Sequence, residues 1–240
     1  VVVHGGPGGA GEIGPLARGL AKRGYDVLEP FQTRASIAEQ IEELHNSIER
    51  FCALPTLLIG WSWGAWLSCL LAAKHPALVQ KLILIGSPPF EASFARRILP
   101  TRLSRLTEAQ KMKLSMLSLN LDDPAKVEEI MGLFDITDNF APHPPATPEI
   151  MFDKTIHDAV WAEAALLRQS GDLLKAIASL RCPITALHGD YDPHPAEGVE
   201  QPLRAVCPQL DFIMLRHCGH KPWQEIHACD MFYTTLEKTF

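Results

Sequence analysis

A serine flanked by glycines, Gly60-Trp61-Ser62-Trp63-Gly64, is the pattern in this chain with the most chemistry in it. The apolar run Thr56 to Gly60 precedes it, and an apolar helical stretch from Trp63 to about Lys74 follows. A serine on so sharp a strand-to-helix turn holds a strained backbone, and glycines on each side let strand and helix pass closely. Its hydroxyl stands at a helix N-terminus, where the dipole favours developing negative charge. That is the setting of a nucleophile; the bland alternative is a tight turn that leaves a serine on the surface.

A nucleophilic serine needs a base, and the base needs an orienting carboxylate. The base is expected in Cys218-Gly219-His220-Lys221-Pro222, just after an apolar run ending at Leu215. The carboxylate is expected in His188-Gly189-Asp190-Tyr191-Asp192-Pro193-His194, just after another. Asp192 and His220 are the assigned pair. Asp190 is the rival acid, as a turn residue, and His217 the rival base, though it lacks a preceding glycine. His188, Asp190, Asp192 and His194 could instead ligate a metal, since alternate residues of an extended segment share a face. A turn and Pro193 interrupt that segment.

The loop His4-Gly5-Gly6-Pro7-Gly8-Gly9 follows the first apolar run, and its flexible backbone can aim N–H groups at an oxyanion. It lacks the Gly-Lys-Ser/Thr ending of a phosphate loop. Gly6, Gly8 and Gly11 fit a dinucleotide fingerprint, but Pro7 sits inside it and only Glu29 could serve as its acidic partner.

The elements that must carry these loops alternate. Strands are expected at Val1–Val3, Tyr25–Leu28, Thr56–Gly60, Lys81–Ile85, Ile184–Leu187 and Phe212–Leu215. Helices are expected around Pro15 to Arg23, at Ile37 to Phe51 with apolar residues at 37, 41, 44, 48 and 51, and from Trp223 to the end. Strands that are apolar throughout, alternating with helices, imply an α/β fold: a doubly wound, mostly parallel sheet of about six strands covered on both faces. The rhythm breaks between 87 and 170. Leu106 to Leu119, Pro124 to Phe134 and Glu149 to Arg168 read as helices there, with Asp122 or Asp123 as an N-cap. Pro142, Pro144, Pro145 and Pro148 form a stiff connector. The expected division is a core of 1–86 and 171–240 with a helical cap at 87–170.

Composition narrows the class. With 240 residues, 47% hydrophobic and 21% charged, the chain can bury one sizeable core. A net charge of −6 without a basic run argues against nucleic acid and against an anionic membrane surface. The charge-free run Cys52 to Ala73 mimics a membrane span, but Pro55, Gly60, Ser62 and Gly64 punctuate it as a strand, turn and helix require. Six cysteines with no Cys-x-x-Cys pair suggest free thiols in a reducing cytoplasm. The sequence opens at Val1 rather than a methionine, which suggests trimming upstream, and no signal peptide is visible.

The glycine loop, the Ser62 turn, Gly189-x-x-Asp192 and Gly219-His220 together resemble the α/β-hydrolase superfamily. The first two are most similar to its proline iminopeptidase branch. The chain order serine, aspartate, histidine is the one this fold uses. The resemblance implies that the N–H groups of Gly6 and Trp63 form the oxyanion hole and that residues 87–170 are a cap over the site. A serine nucleophile sets the chain apart from dehalogenase and epoxide hydrolase branches, which use aspartate. Three features depart from the pattern. The antiparallel hairpin before the His188-Gly189 strand is absent, Pro30-Phe31-Gln32-Thr33-Arg34-Ala35 replaces Asp-x-Arg-Gly-x-Gly, and Trp61 stands where a small residue or histidine is usual.

The expected reaction is hydrolysis of a small ester or amide through an acyl-enzyme, a chemistry that calls for no cofactor or metal. Acyl transfer to another acceptor, haloperoxidation, or ligand binding without turnover are the alternatives on the same fold. An iminopeptidase would need a carboxylate for the substrate's ammonium. Glu163 in the cap is the first candidate for it, and Trp61 and Trp161 are further candidate substrate contacts. Most acidic residues of the insertion read as solvated faces or caps.

Overall fold

Apolar runs expected as strands pair in parallel in the computed structural model, which describes residues 1–144 and 151–240. The main sheet contains β1 (Val2–Val3), β3 (Thr56–Trp61), β4 (Val79–Ile85), β6 (Ile184–Gly189) and β7 (Asp211–Leu215), in the order β1-β3-β4-β6-β7. Every pair is parallel, with Trp61 opposite Ile85, Ile85 opposite Leu187, and Gly189 opposite Leu215. The carboxyl ends of β3, β4, β6 and β7 therefore share one edge.

Among the described residues five strands form the sheet where six were expected. Tyr25–Leu28 stays outside it, tied to β1 by a single bond from Val2 N–H to Leu28 O at 2.9 Å. β1 is two residues long and offers almost no edge to pair with. Tyr25 and Asp26 are exposed, so a ladder here would have little apolar burial to drive it.

Period-two alternation sorts the strand side chains between two faces. Leu58, Leu82, Leu84, Ile184 and Ala186 join one buried cluster, while Ile59, Trp61, Ile83, Ile85 and Leu187 join the other. The first face is covered by α2 (Ile37–Phe51), α3 (Trp63–Lys74), α9 (Asp172–Ala178) and α10 (Glu197–Val206). The second is covered by α1 (Gly14–Ala21) and α11 (Cys229–Glu237). In α2 the expected apolar positions 37, 41, 44 and 48 are buried, and the Ser36 hydroxyl caps the helix by accepting the Glu39 N–H. α3 is buried almost all round, as a helix wedged between the sheet and α2 must be.

Between β4 and β6 the chain makes α4 (Ala92–Ala95), α5 (Ile98–Arg105), α6 (Glu108–Leu117), α7 (Pro124–Asp138), β5 (Met151–Phe152) and α8 (Lys154–Ser170). Of the expected helix over 106–119, only α6 is helical, and Leu106 is instead the C-cap of α5. The break falls at Thr107, whose hydroxyl forms a capping box with Gln110. Asp123 caps α7 by accepting the Ala125 N–H. The expected start of the next helix at Glu149 lies outside the described residues, as do Pro145 and Pro148. α8 itself opens only at Lys154, because Asp153 accepts the Thr155 and Ile156 N–H groups as its N-cap. Met151–Phe152 pairs antiparallel with β2 (Gly9–Ala10) in the glycine loop.

Leu106, Leu114, Leu117, Ile130 and Leu133 of α5–α7 and their connections close a small cluster of their own, whereas Val160 and Ala164 of α8 belong to the sheet's core. Among the described residues no helix is long and apolar enough to cross a membrane. Cys52 to Ala73 is divided among β3, the Ser62 turn and α3. All six cysteines are unpaired.

Candidate active site

Ser62 sits between β3 and α3 with φ 52° and ψ −124°, a conformation that non-glycine residues rarely adopt. Its neighbours explain how the turn closes. A Cβ on Gly60 would lie 2.3 Å from Gly64 O, and one on Gly64 would lie 2.2 Å from Val3 O. Only glycine lets β3, α3 and β1 approach this closely. The Ser62 N–H donates to Ile85 O at 2.9 Å, which fixes the turn to the end of β4.

Gly86 follows directly and forms the floor of the second component. A Cβ there would lie 3.0 Å from His220 Nδ1 and 3.2 Å from Asp192 Oδ2. His220 Nδ1 donates to Asp192 Oδ2 at 2.7 Å, with both side chains buried. Burial by itself would raise the Asp192 pKa. The adjoining His220 and His194 imidazoles and the hydrogen bonds they donate outweigh it and hold the carboxyl well below the usual carboxylate range. With Nδ1–H committed to Asp192, the other ring nitrogen of His220 carries the lone pair. Among the described residues, no hydrogen bond within 3.5 Å joins Ser62 Oγ to either imidazole.

The rivals are placed elsewhere. Asp190 is exposed and closes a turn, accepting the Cys218 N–H at 3.2 Å. His217 is exposed and packs on Phe140, its ring centroid 5.3 Å away. Asp192, His194 and His220 do gather within 4.8 Å, as metal ligands would. However, both Nδ1 atoms lie 2.7 Å from a carboxylate oxygen of Asp192, so each is spent as a hydrogen-bond donor and has no lone pair for an ion.

Trp63 is the first residue of α3, so its N–H has no intrahelical partner. Gly6, at φ 27°, accepts the Gly9 N–H at 2.7 Å and turns the glycine loop tightly. That loop is anchored by a network that sequence reasoning missed. The Gln32 N–H and side-chain amide bond to His4 Nε2 and O, and the Trp63 indole N–H reaches both Gln32 Oε1 and Gln40 Oε1. Burial lowers the His4 pKa to about 4 and keeps it neutral.

The fold has known counterparts. Residues 33–120 match the family model for the alpha/beta hydrolase fold. RutD of Serratia proteamaculans (strain 568), named as a candidate carbamate hydrolase, is 23% identical over 205 residues. That match covers 85% of this chain and 62% of RutD, so the chain spans under two thirds of its curated relative's length. The solved structure of VinJ has a TM-score of 0.70 at 18% identity, over 99% of this chain and 88% of VinJ. A candidate lipase of Acinetobacter baumannii AYE, lip1, has 0.65 at 17%, over 99% and 82%. The fold is that of the α/β-hydrolases. None of these three relatives singles out the iminopeptidase branch.

In this α/β-hydrolase fold two of the expected substrate contacts are turned away from the sheet edge's open side. Trp61 is buried under the edge, its indole N–H donating to His220 O at 2.9 Å and its ring 5.2 Å from Trp223. Its position on β3 sends it to the α1/α11 face, where it props the histidine loop. Glu163 is exposed and accepts the Ile37 N–H at 2.9 Å, capping α2. Two residues of helix are a rotation of about 200°, so Glu163 cannot follow Trp161, which packs on Trp63 at 5.8 Å.

Two seams tie the inserted segment to the site. Glu225, fully buried, accepts the N–H groups of Phe140, Ala141 and Gly219, each at 2.7 Å, and Asp138 O accepts the His220 N–H at 2.7 Å. On the other side the Asp153 N–H donates to Gly8 O at 2.9 Å beside the β2–β5 pair. Lys221 spans both, pairing with Glu12, just past the glycine loop, at 3.4 Å and with Asp135 of α7 at 2.8 Å. No sequence signal marked Glu225; an acid three residues past a Lys-Pro pair reads as surface.

Proposed function

We propose that the protein is a serine hydrolase of small carboxylic esters that works through an acyl-enzyme. The observation that carries the reading is the His220–Asp192 pair at 2.7 Å, resting on Gly86 directly after the residue whose carbonyl holds the Ser62 N–H. Ser62 is the nucleophile and His220 the general base. Asp192 fixes the Nδ1–H tautomer and stabilises the imidazolium that forms. His220 takes the hydroxyl proton as Ser62 attacks the carbonyl, gives it to the leaving alcohol, and then activates water against the acyl-enzyme. Catalytic hydrogen bonds of this kind commonly tighten only in the substrate complex. The Gly6 and Trp63 N–H groups hold the oxyanion, each worth about 3–4 kcal/mol in comparable sites. The strained φ of Ser62 supports the reading too, since strain of this kind gathers at functional sites.

Residues 87–170, with α5–α7 as their own small core, serve as the cap, and Trp161 reaches the Ser62 turn from α8. The names of RutD and lip1 point to carbonyl substrates. An ester is favoured over an aminoacyl amide because Glu163, the carboxylate expected to read a free amine, is committed to the Ile37 N–H. A fluorophosphonate probe and a panel of p-nitrophenyl esters and aminoacyl p-nitroanilides test this. The parent should label and cleave short esters, and Ser62→Ala should abolish labelling and lower turnover by several orders of magnitude. Turnover in Ser62→Ala within about tenfold of the parent would sink the proposal.

A further inference from the structure

The proposed acid serves two imidazoles. Asp192 Oδ2 accepts from His220 Nδ1, while Oδ1 accepts from His194 Nδ1 at 2.7 Å and from the His194 backbone N–H at 2.9 Å. The two rings lie 4.6 Å apart between centroids, inclined at 30°. His194 is itself fixed, because His188 Nε2 donates to its carbonyl at 2.8 Å. One imidazole is enough for acid–base relay. A second, buried on the same carboxylate, competes for its charge.

The surroundings define the charge state of the cluster. From β6, His188 Nε2 lies 3.8 Å from Asp192 Oδ2 and is spent on the His194 carbonyl. From α5, Arg102 adds positive charge opposite His194 and is paired with Asp138. From the histidine loop comes His220 itself. Burial, with His220 and Arg102, outweighs the pull of Asp192 and lowers the His194 pKa, so His194 is a neutral Nδ1–H donor.

We propose that His194 is a positioning residue for catalysis, a second imidazole donor that fixes the Asp192 carboxylate and limits how strongly it holds His220. The inference rests on the triad reading above. A neutral donor on Oδ1 spreads the carboxylate's charge, so less of it stabilises a protonated His220. The base is thereby free at lower pH than it would be with Asp192 to itself. The motif Asp192-Pro193-His194 supplies the geometry, returning the side chain two residues on to the carboxylate in front of it.

The test compares His194→Leu with His194→Asn, whose side-chain amide can donate from nearly the position of Nδ1. In His194→Leu the acid limb of kcat/KM should move up by about half a unit to one unit, with kcat lowered about tenfold and KM little changed. His194→Asn should keep the limb near the parent's value. A merely structural role would lower both variants without moving the limb, and that result would overturn the proposal. Should the leucine variant fail to fold, nitrogen-15 histidine spectra of the parent decide. His194 should be the Nδ1–H tautomer throughout the active pH range, and an Nε2–H tautomer or a protonated ring would refute the idea. Failure of the triad reading is separable, because it would show as an unlabelled parent or an active Ser62→Ala enzyme.

Discussion

The sheet edge and the α5–α7 layer meet where the His220 N–H donates to Asp138 O, and they are built on opposite terms. At the edge, each proposed reacting group is set by backbone: Ser62 by a turn that only Gly60 and Gly64 permit, His220 and Asp192 by loops that rest on Gly86. The layer rests on five buried side chains and leaves Leu99, Met112, Met116, Leu119, Met131 and Ile136 exposed. Its hold on the rest is largely polar, through Glu225, Lys221, and the His220 N–H that donates to Asp138 O. The contrast teaches that the candidate site and the helical layer beside it are held by different forces. Groups set by strand ends and glycine turns are placed by the backbone itself, while a thin helical layer held by polar seams can change its exposed apolar residues without disturbing them.

The largest losses are expected at the acid and the base. Asp192→Asn and His220→Ala should each lower kcat by about a thousandfold or more. Asp190→Asn and His217→Ala, on neighbouring exposed positions, should stay within about tenfold. Steady-state kinetics on one ester decides it, and a larger loss for Asp190→Asn would mean the edge is not the organising frame.

A second prediction concerns how the edge responds to pH. His4 is held neutral in the fold, with its pKa at about 4 against an ordinary value of 6.5. Below about pH 6.5 the unfolded chain takes up a proton that the native state refuses. Stability therefore falls between about pH 6.5 and 4 and levels off below that, by about 3 kcal/mol in all. His194 shifts the same way and remains in the variant. His4→Gln should remove the His4 part, so urea unfolding at pH 7 and pH 4 should show a smaller drop than in the parent. An equal drop in both would show that the glycine loop does not depend on a neutral His4.

The smallest expected effect is at the seam. Glu225→Gln keeps one acceptor oxygen for Phe140 and Gly219 and turns an amide toward the Ala141 N–H. One buried donor is left unpaired, at a cost of about 2 kcal/mol. Hydrogen exchange should quicken at Ala141 while the Ser62 turn stays protected. Equal loss of protection at both would mean that layer and edge unfold as one unit.

The residues with local signatures were legible in advance. Gly60 to Gly64 showed a strained turn because strand, glycine and helix signals converge there. Ile37 to Phe51 showed a helix because its apolar spacing is regular, and the parallel sheet followed from apolar runs separated by helices. Asp192 could be preferred to Asp190 only through the Gly189-x-x-Asp192 resemblance, because both acids lie on one loop and local pattern does not separate them. The structure sets them apart by pairing Asp192 with His220 and leaving Asp190 at the surface.

What the sequence determined by itself is whatever depends on near neighbours: strand and helix positions, caps such as Asp123, and the glycines of the serine turn. Tertiary structure alone decided that Tyr25–Leu28 stays out of the sheet, since strand formation depends on the length of the partner's edge. It also decided that Trp61 props the histidine loop, that Glu163 caps α2, and that His194 shares Asp192. Each of these is a polar or aromatic side chain whose partner is fixed by three-dimensional proximity, even where, as with His194, that partner is only two residues away. A side chain's chemistry limits which partners it can take, and only the packed backbone brings one of them within 3 Å.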